Sequence, residues 1–201
     1  MLLSNSSDNV AFRGSLIKVN EPTDVEFNLF SDLILKDLGM EWGDDKKYLL
    51  YARLQRILQE RQLENFQSYY DYIEREENRK ELQFLYNAVT TTKSGFYREK
   101  QHFKFLRENV FPEMKKQNNN QYSKLRFWSA GCSSGEETYT LAMEAHDFFG
   151  ASRVSNGGLR ILGSDVNTGV LEFAINGRYT KEQISTIPDS LKKRFLVKAS
   201  V

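Results

Sequence analysis

Residues 125 to 165 constrain the fold more than any other stretch of the chain. Leu125-Arg126-Phe127-Trp128 reads as a buried strand and Gly131-Cys132-Ser133-Ser134-Gly135 as a tight turn. Glu136 to Phe149 reads as a helix with Leu141, Ala142, Ala145 and Phe149 inward. Leu159 to Gly163 is a second strand, closed by Ser164-Asp165. Strand, glycine-rich turn, helix and a strand ending in an acid are the start of a doubly wound α/β sheet. Glycines let the backbone turn sharply and let a ligand approach closely. The helix N-terminus, with its free amides, favours a negative group such as a ligand carboxylate. Asp165, on the same edge of the sheet, can accept two hydrogen bonds from ribose hydroxyls. Together they imply a nucleoside-type ligand at the carboxyl ends of the strands. The competing reading is an α/β turn whose glycines serve packing alone. The gap between turn and acid exceeds the roughly 20 residues of dinucleotide folds, with Ser152–Gly158 as the extra loop.

The front of the chain has a different character. Residues 1–23 are polar and aperiodic and read as a loose leader. From Val25, Phe27, Phe30, Leu33, Ile34 and Leu38 recur at helical spacing, and Gly39 is the stop. Asp44 to Arg61, with Asp44 as N-cap, carries Leu50, Leu54, Ile57 and Leu58 on one face. Phe66–Glu74 and Lys80–Val89 complete a small all-helical unit over 24–90. Residues 91–123 form a linker loop and a helix from Glu99 to about Phe111, which Pro112 ends or kinks, followed by a polar loop over Gln117–Tyr122. Residues 124–201 hold the α/β part, where Thr168 is the expected cap of a helix to Ile175.

Composition narrows the classes. A chain of 201 residues with 40% hydrophobic and 13% aromatic content has enough apolar side chains for a packed core. A net charge of +1 gives no reason to expect a nucleic-acid partner. No apolar run is long enough to span a bilayer, the start lacks signal-peptide character, and a single cysteine, Cys132, suits a reducing cytosol. A cytoplasmic protein is the expectation.

Among candidate residues, Glu136 and Glu137 both open the central helix. One acid satisfies the helix dipole, which leaves Glu136 to face the positively charged end of a ligand. The run Thr90-Thr91-Thr92-Lys93-Ser94-Gly95-Phe96-Tyr97-Arg98-Glu99 is a polar loop leading into a helix, and nothing general in it predicts a function. His102 and His146 lie in helical contexts and read as structural. Cys132 reads as a packing residue. No metal ligand set is expected.

Thr91 to Arg98 resembles the segment Asn-x-Thr-x-Phe-Phe-Arg-Glu of the chemotaxis-receptor glutamate O-methyltransferases, the CheR family. Phe127 to Thr140 resembles the family's cofactor turn, and Gly163-Ser164-Asp165-Val166-Asn167 its ribose-binding strand end. Gly177-Arg178-Tyr179 and Lys192-Lys193-Arg194-Phe195 match the stretch that follows. The helical front resembles the family's N-terminal domain, and the likeness runs over roughly residues 25 to 197. It implies an all-helical domain followed by an incomplete Rossmann-like class I methyltransferase domain that uses S-adenosylmethionine and releases S-adenosylhomocysteine. The reaction implied is methyl esterification of glutamates in the cytoplasmic methylation region of bacterial chemoreceptors. By the same resemblance Arg98 lies near the cofactor and the incoming carboxylate, while Glu136 and Asp165 hold the cofactor's amino-acid end and ribose. Gly131 belongs to the cofactor turn. Thr92 and Ser94 stand where the family has Asn and Thr: Ser94 keeps a hydroxyl, and Thr92 lacks an amide. Lys46, Arg53 and Arg56 lie along one side of the Asp44–Arg61 helix and are the implied receptor-docking stripe.

A glutamate nucleophile has a reference pKa near 4.3, so it is already ionised at neutral pH and needs no general base. The expected task is positioning and electrostatics. A doubly wound domain normally holds more strands than the two visible here. The chain therefore reads as truncated, with exposed strand edges and a tendency to self-associate. The alternative expectation is an inactive receptor-binding or S-adenosylmethionine-sensing module.

Overall fold

The computed structural model describes residues 17–117, 125–150 and 158–198. They fall into two compact units, one ending at Val89 and the other beginning at Thr90. Most of the expected leader, and nearly all of the expected loops at 117–122 and 152–158, lie outside the described residues.

The first unit is helical. Helix α1, Asp24–Leu38, starts at Thr23, whose hydroxyl accepts from the Glu26 amide while Glu26 reaches back to the Thr23 amide. This capping box pairs two amides that have no partner inside the helix. Gly39 stops the helix in the left-handed region at φ 66° and donates to the Leu35 carbonyl. Helix α2, Lys47–Glu60, does not begin at Asp44. A 3₁₀ turn over Asp44–Lys46 precedes it, with Gly43 ahead of the turn, so Asp44 opens that turn instead of capping α2. Helix α3, Phe66–Ile73, is capped by the Asn65 side chain, which accepts from the Ser68 amide. Helix α4 is Glu81–Val89. Helical spacing puts Phe27, Phe30, Leu33, Ile34, Leu50, Leu54, Leu58, Phe66, Tyr69, Ile73, Leu85 and Val89 into one closed core. Phe30 sits at its centre, stacked on Tyr69 and edge-on to Phe66 and Tyr70. Arg61 pairs with the buried Glu81 through two contacts of 3.2 Å, which keeps that carboxylate from being buried alone.

The second unit opens with the 90–99 loop and then a helix in three pieces: α5 Lys100–Phe105, a π-helical stretch Leu106–Val110, and α6 Phe111–Gln117. Pro112 neither ends nor breaks this helix. The wide π turn lies just ahead of it, where the proline ring would otherwise abut a carbonyl one tight turn back. Strands β1, Leu125–Ala130, and β2, Leu159–Ser164, pair in parallel from Leu125↔Leu159 to Ala130↔Ser164. Helix α7, Glu136–Phe149, connects the turn after β1 to the segment before β2 and buries Leu141, Met143, Ala145 and Phe149. Helix α8, Thr168–Asn176, is capped by the Asn167 side chain, which accepts from the Val170 amide; Thr168 is its first residue, not its cap. Helix α9, Asp189–Phe195, is the last helix among the described residues and buries Leu191.

The strand reading needs one correction. β1 is not buried throughout: Leu125 and Ser129 are inside, whereas Trp128 is 69% exposed and its register partner Leu162 is 62% exposed. Strand side chains alternate, so one face of the pair meets α7 and the other is open. No helix among the described residues is long and apolar enough to cross a membrane.

Candidate functional site

The turn after β1 contains three left-handed residues: Gly131 at φ 72°, Ser133 at φ 49° and Gly135 at φ 93°. The two glycines do different work. A Cβ on Gly135 would stand 2.9 Å from both the Ala174 Cβ and the Tyr179 hydroxyl, so this glycine lets the turn press against α8. A Cβ on Gly131 would meet nothing within 4 Å. The two glycines thus differ: Gly135 serves packing, and Gly131 has open space beside it.

Much of the turn's backbone is used internally. The Gly131 and Cys132 amides donate to the Ser164 carbonyl at 2.8 and 2.9 Å, and the Gly135 amide donates to the Cys132 carbonyl. The Ser133 amide donates to Asp165 Oδ2 at 2.8 Å, and the Asn167 amide to Asp165 Oδ1 at 2.9 Å. Each Asp165 oxygen thus holds one backbone donor and keeps a further acceptor site. The carboxylate is fixed at the end of β2 and can still receive two hydroxyls.

The 90–99 loop is tied to this turn. Ser133 Oγ donates to the Thr92 carbonyl at 2.7 Å, and Asn167 Nδ2 to Thr90 Oγ1 at 2.9 Å. Farther along, the Phe96 carbonyl accepts from Thr186. Tyr97 adopts φ 55°, an outlier for a bulky side chain and a strain of about 1–3 kcal/mol. Its hydroxyl donates to Glu144 Oε1 at 2.7 Å. Arg98 folds back, its Nη1 donating to the Lys93 carbonyl at 2.7 Å.

A cleft of about 400 Å³ lies against this loop and is lined by Ser94, Arg98, His102, Trp128, Gly131 and Glu137, among others. Of the residues expected from sequence, Ser94, Arg98 and Gly131 share it. Thr92 enters the site through its carbonyl, and Asp165 through Ser133. Glu136 is not among the lining residues; it is 3% exposed, its carboxylate accepting from Ser134 Oγ at 2.6 Å. Among the described residues no cation pairs with it. Its charge and, above all, burial push the Tyr179 phenol well above its ordinary range, and the Tyr179 hydroxyl donates to the Ser134 carbonyl.

Sequence reasoning missed Glu137, which lines the cleft and accepts from the buried Ser129 Oγ at 2.7 Å. It also missed His102 as a lining residue. Two adjacent acids look alike in sequence, and only the azimuth of α7 separates them. His146 packs edge-on to Phe195. Cys132, 2% exposed, lies where a Cβ on Gly163 would approach its sulfur to 3.1 Å, and burial pushes its thiol up. It packs the turn.

In the helical unit Lys46 and Arg53 share one aromatic ring, and Arg56 pairs elsewhere. Arg53 lies 5.9 Å from the Trp42 ring centre and donates to the Val89 carbonyl at the end of α4. Lys46 lies 5.8 Å from the same ring and donates to the Glu41 carbonyl. Arg56 is largely exposed and pairs with Glu60 one turn on.

Two family models cover nearly all of this. Residues 25–90 match "CheR methyltransferase, all-alpha domain", and residues 92–201 match "CheR methyltransferase, SAM binding domain". The chain belongs to the CheR methyltransferase family. Proteins named chemotaxis protein methyltransferase resemble it over most of its length: one from Borreliella burgdorferi is 33% identical over 172 residues, 85% of this chain and 60% of the relative. One from Salmonella typhimurium and one from Escherichia coli are each 32% identical over 175 residues, 87% of this chain and 57% of the relative. The chain thus spans about 57–60% of the length of these relatives. The fold is that of the family, an all-helical domain followed by the SAM-binding domain, and S-adenosylmethionine is the cofactor of that domain.

The residues present fit this cofactor. Gly131 has open space where a Cβ would stand, and Asp165 keeps acceptor sites that suit ribose hydroxyls; Glu136 is a buried carboxylate with no cation paired to it among the described residues, and it does not line the cleft.

Proposed function

We propose that this chain carries the cofactor turn and the substrate-facing arginine of a methyl esterification of chemoreceptor glutamates, serving chemotactic adaptation. The observation that carries the reading is the meeting of Arg98, Ser94 and Gly131 on one cleft beside a fixed Asp165. Asp165 holds the ribose hydroxyls, Glu136 the cofactor's ammonium group, and Ser94 and the Thr92 backbone the loop side of the site. When bound, S-adenosylmethionine supplies an electrophilic methyl group on a sulfonium. Arg98 orients the incoming glutamate carboxylate, which arrives ionised and needs no base. What the protein contributes is placement in a shaped cleft.

The helical unit is the receptor-docking part of this proposal, with Lys46 and Arg56 meeting an acidic, helical methylation region. Arg53 supports that surface from below by holding the end of α4. The open β1–β2 face around Trp128 and Leu162 supports self-association of the chain. The whole assembly acts in the cytoplasm.

The test is calorimetric titration of the chain with S-adenosylhomocysteine, paired with transfer of labelled methyl groups to a receptor fragment. Binding weakened about a hundredfold by Asp165→Ala is the expected result. A folded wild-type chain that binds no S-adenosylhomocysteine overturns the cofactor part. Binding without methyl transfer points to the inactive-module alternative.

A further inference from the structure

We infer that Tyr97 and Glu144 are positioning residues, whose buried hydrogen bond sets where the Arg98 guanidinium stands in the cleft. The inference rests on the cofactor-and-arginine reading above. Three observations carry it. Tyr97 is the residue before Arg98, and its left-handed backbone fixes the direction in which the chain leaves toward that arginine. A left-handed tyrosine persists only where its surroundings hold it. Those surroundings are the 2.7 Å bond to Glu144 Oε1, a ring contact with Phe103 at 5.6 Å, and a 3.4 Å contact from the Tyr97 amide to Thr140 Oγ1.

Glu144 is itself held. It is 8% exposed, and its second oxygen accepts from Arg107 Nη1 at 3.0 Å. Arg107 Nη2 reaches Asp147 at 2.7 Å, and Asp147 also pairs with Arg194 of α9. The relay joins four segments: the 90–99 loop, the π-helical stretch, α7 and α9. Burial, with Glu144 as acceptor, pushes the Tyr97 phenol well above its ordinary range, so the hydroxyl remains a donor at any physiological pH. Arg98 itself is exposed and is tied to Lys93 of its own loop. Its place therefore depends on how the loop is pinned, and the Tyr97 side chain is the buried pin nearest to it.

Tyr97→Phe removes the hydrogen bond outright, and Glu144→Gln removes its charge while keeping a neutral acceptor, each with almost no change in volume. Two measurements on the full chain decide the matter. The first is amide hydrogen exchange without ligand: exchange over residues 93–98 accelerates about fivefold or more in both variants, while exchange in the middle of α7 stays unchanged. The second is S-adenosylhomocysteine titration: Tyr97→Phe weakens binding roughly five- to tenfold, the scale of one buried hydrogen bond, and has no further effect in an Arg98→Ala background. Unchanged loop exchange overturns the inference. So does an equal loss of affinity with and without Arg98, which is the signature of a role in stability alone. A wild-type chain that does not bind S-adenosylhomocysteine defeats the cofactor reading, and loop exchange then decides the positioning role by itself.

Discussion

The two units bury different kinds of residue. Among the described residues, the buried polar or charged side chains are Glu81 in the helical unit and Ser129, Ser133, Glu136, Thr140, Glu144 and Asn167 in the α/β unit. The helical core is aromatic and aliphatic, and its one buried acid is matched by Arg61. The α/β unit buries hydroxyls and carboxylates in β1, the 131–135 turn, α7 and the residue before α8. Buried polar groups are expensive unless partnered. Their concentration in the α/β unit separates it from the apolar helical core.

The comparison can be broken from the helical side first. Leu54→Ala empties a fully buried position in α2 and is expected to lower stability by about 2–5 kcal/mol in urea titration. A loss below 1 kcal/mol contradicts a closed core. Asp165→Ala addresses the other side. S-adenosylhomocysteine affinity falls about a hundredfold, as for two lost hydrogen bonds to a charged group. An affinity within threefold of wild type removes Asp165 from the site.

A smaller effect sharpens the contrast. Glu26 caps α1 and also accepts from the Gln67 amide in α3, so one carboxylate serves two helix starts. Glu26→Ala is expected to cost about 1–2 kcal/mol. Partial burial raises the Glu26 pKa, but the backbone amides of Thr23 and Gln67 outweigh it and hold the group below its usual 4.5. Its stabilisation is therefore complete above pH 4.5 and fades as pH falls through the lowered value. An acid unfolding midpoint that is the same in wild type and Glu26→Gln contradicts this. Smallest of all, Lys46→Glu with Arg56→Glu is expected to change stability by less than about 0.5 kcal/mol and to weaken binding of an acidic receptor fragment roughly tenfold at low salt. Arg53 is left out because reversing it disturbs the end of α4.

What was legible in sequence divides along physical lines. Periodicity exposes the cores: Phe27, Phe30, Leu33 and Ile34, or Leu50, Leu54 and Leu58, are buried because their spacing leaves no other face. The turn and the acid at a strand end are local chemistry and were legible for the same reason. Contacts between segments far apart were not. Nothing near Arg53 says that Val89 lies above it, and nothing near Tyr97 names Glu144. Cap choice was also hidden where two residues compete, as with Asp44 against Gly43 and Thr168 against Asn167. Pro112 reads as a breaker until the π turn ahead of it is seen. The exposure of Trp128 follows from strand alternation, which its apolar neighbours obscured.

Cys132 gives the molecule a built-in reporter. It is the chain's one thiol, packed into the cofactor turn at 2% exposure with its ionisation suppressed by burial. An alkylating reagent reaches it only when the turn opens, so the rate of labelling is a clock for that opening. The same clock, slowed by any molecule that settles on Gly131, would let a small-molecule library be screened for occupants of the turn without a receptor, a radiolabel or an added dye.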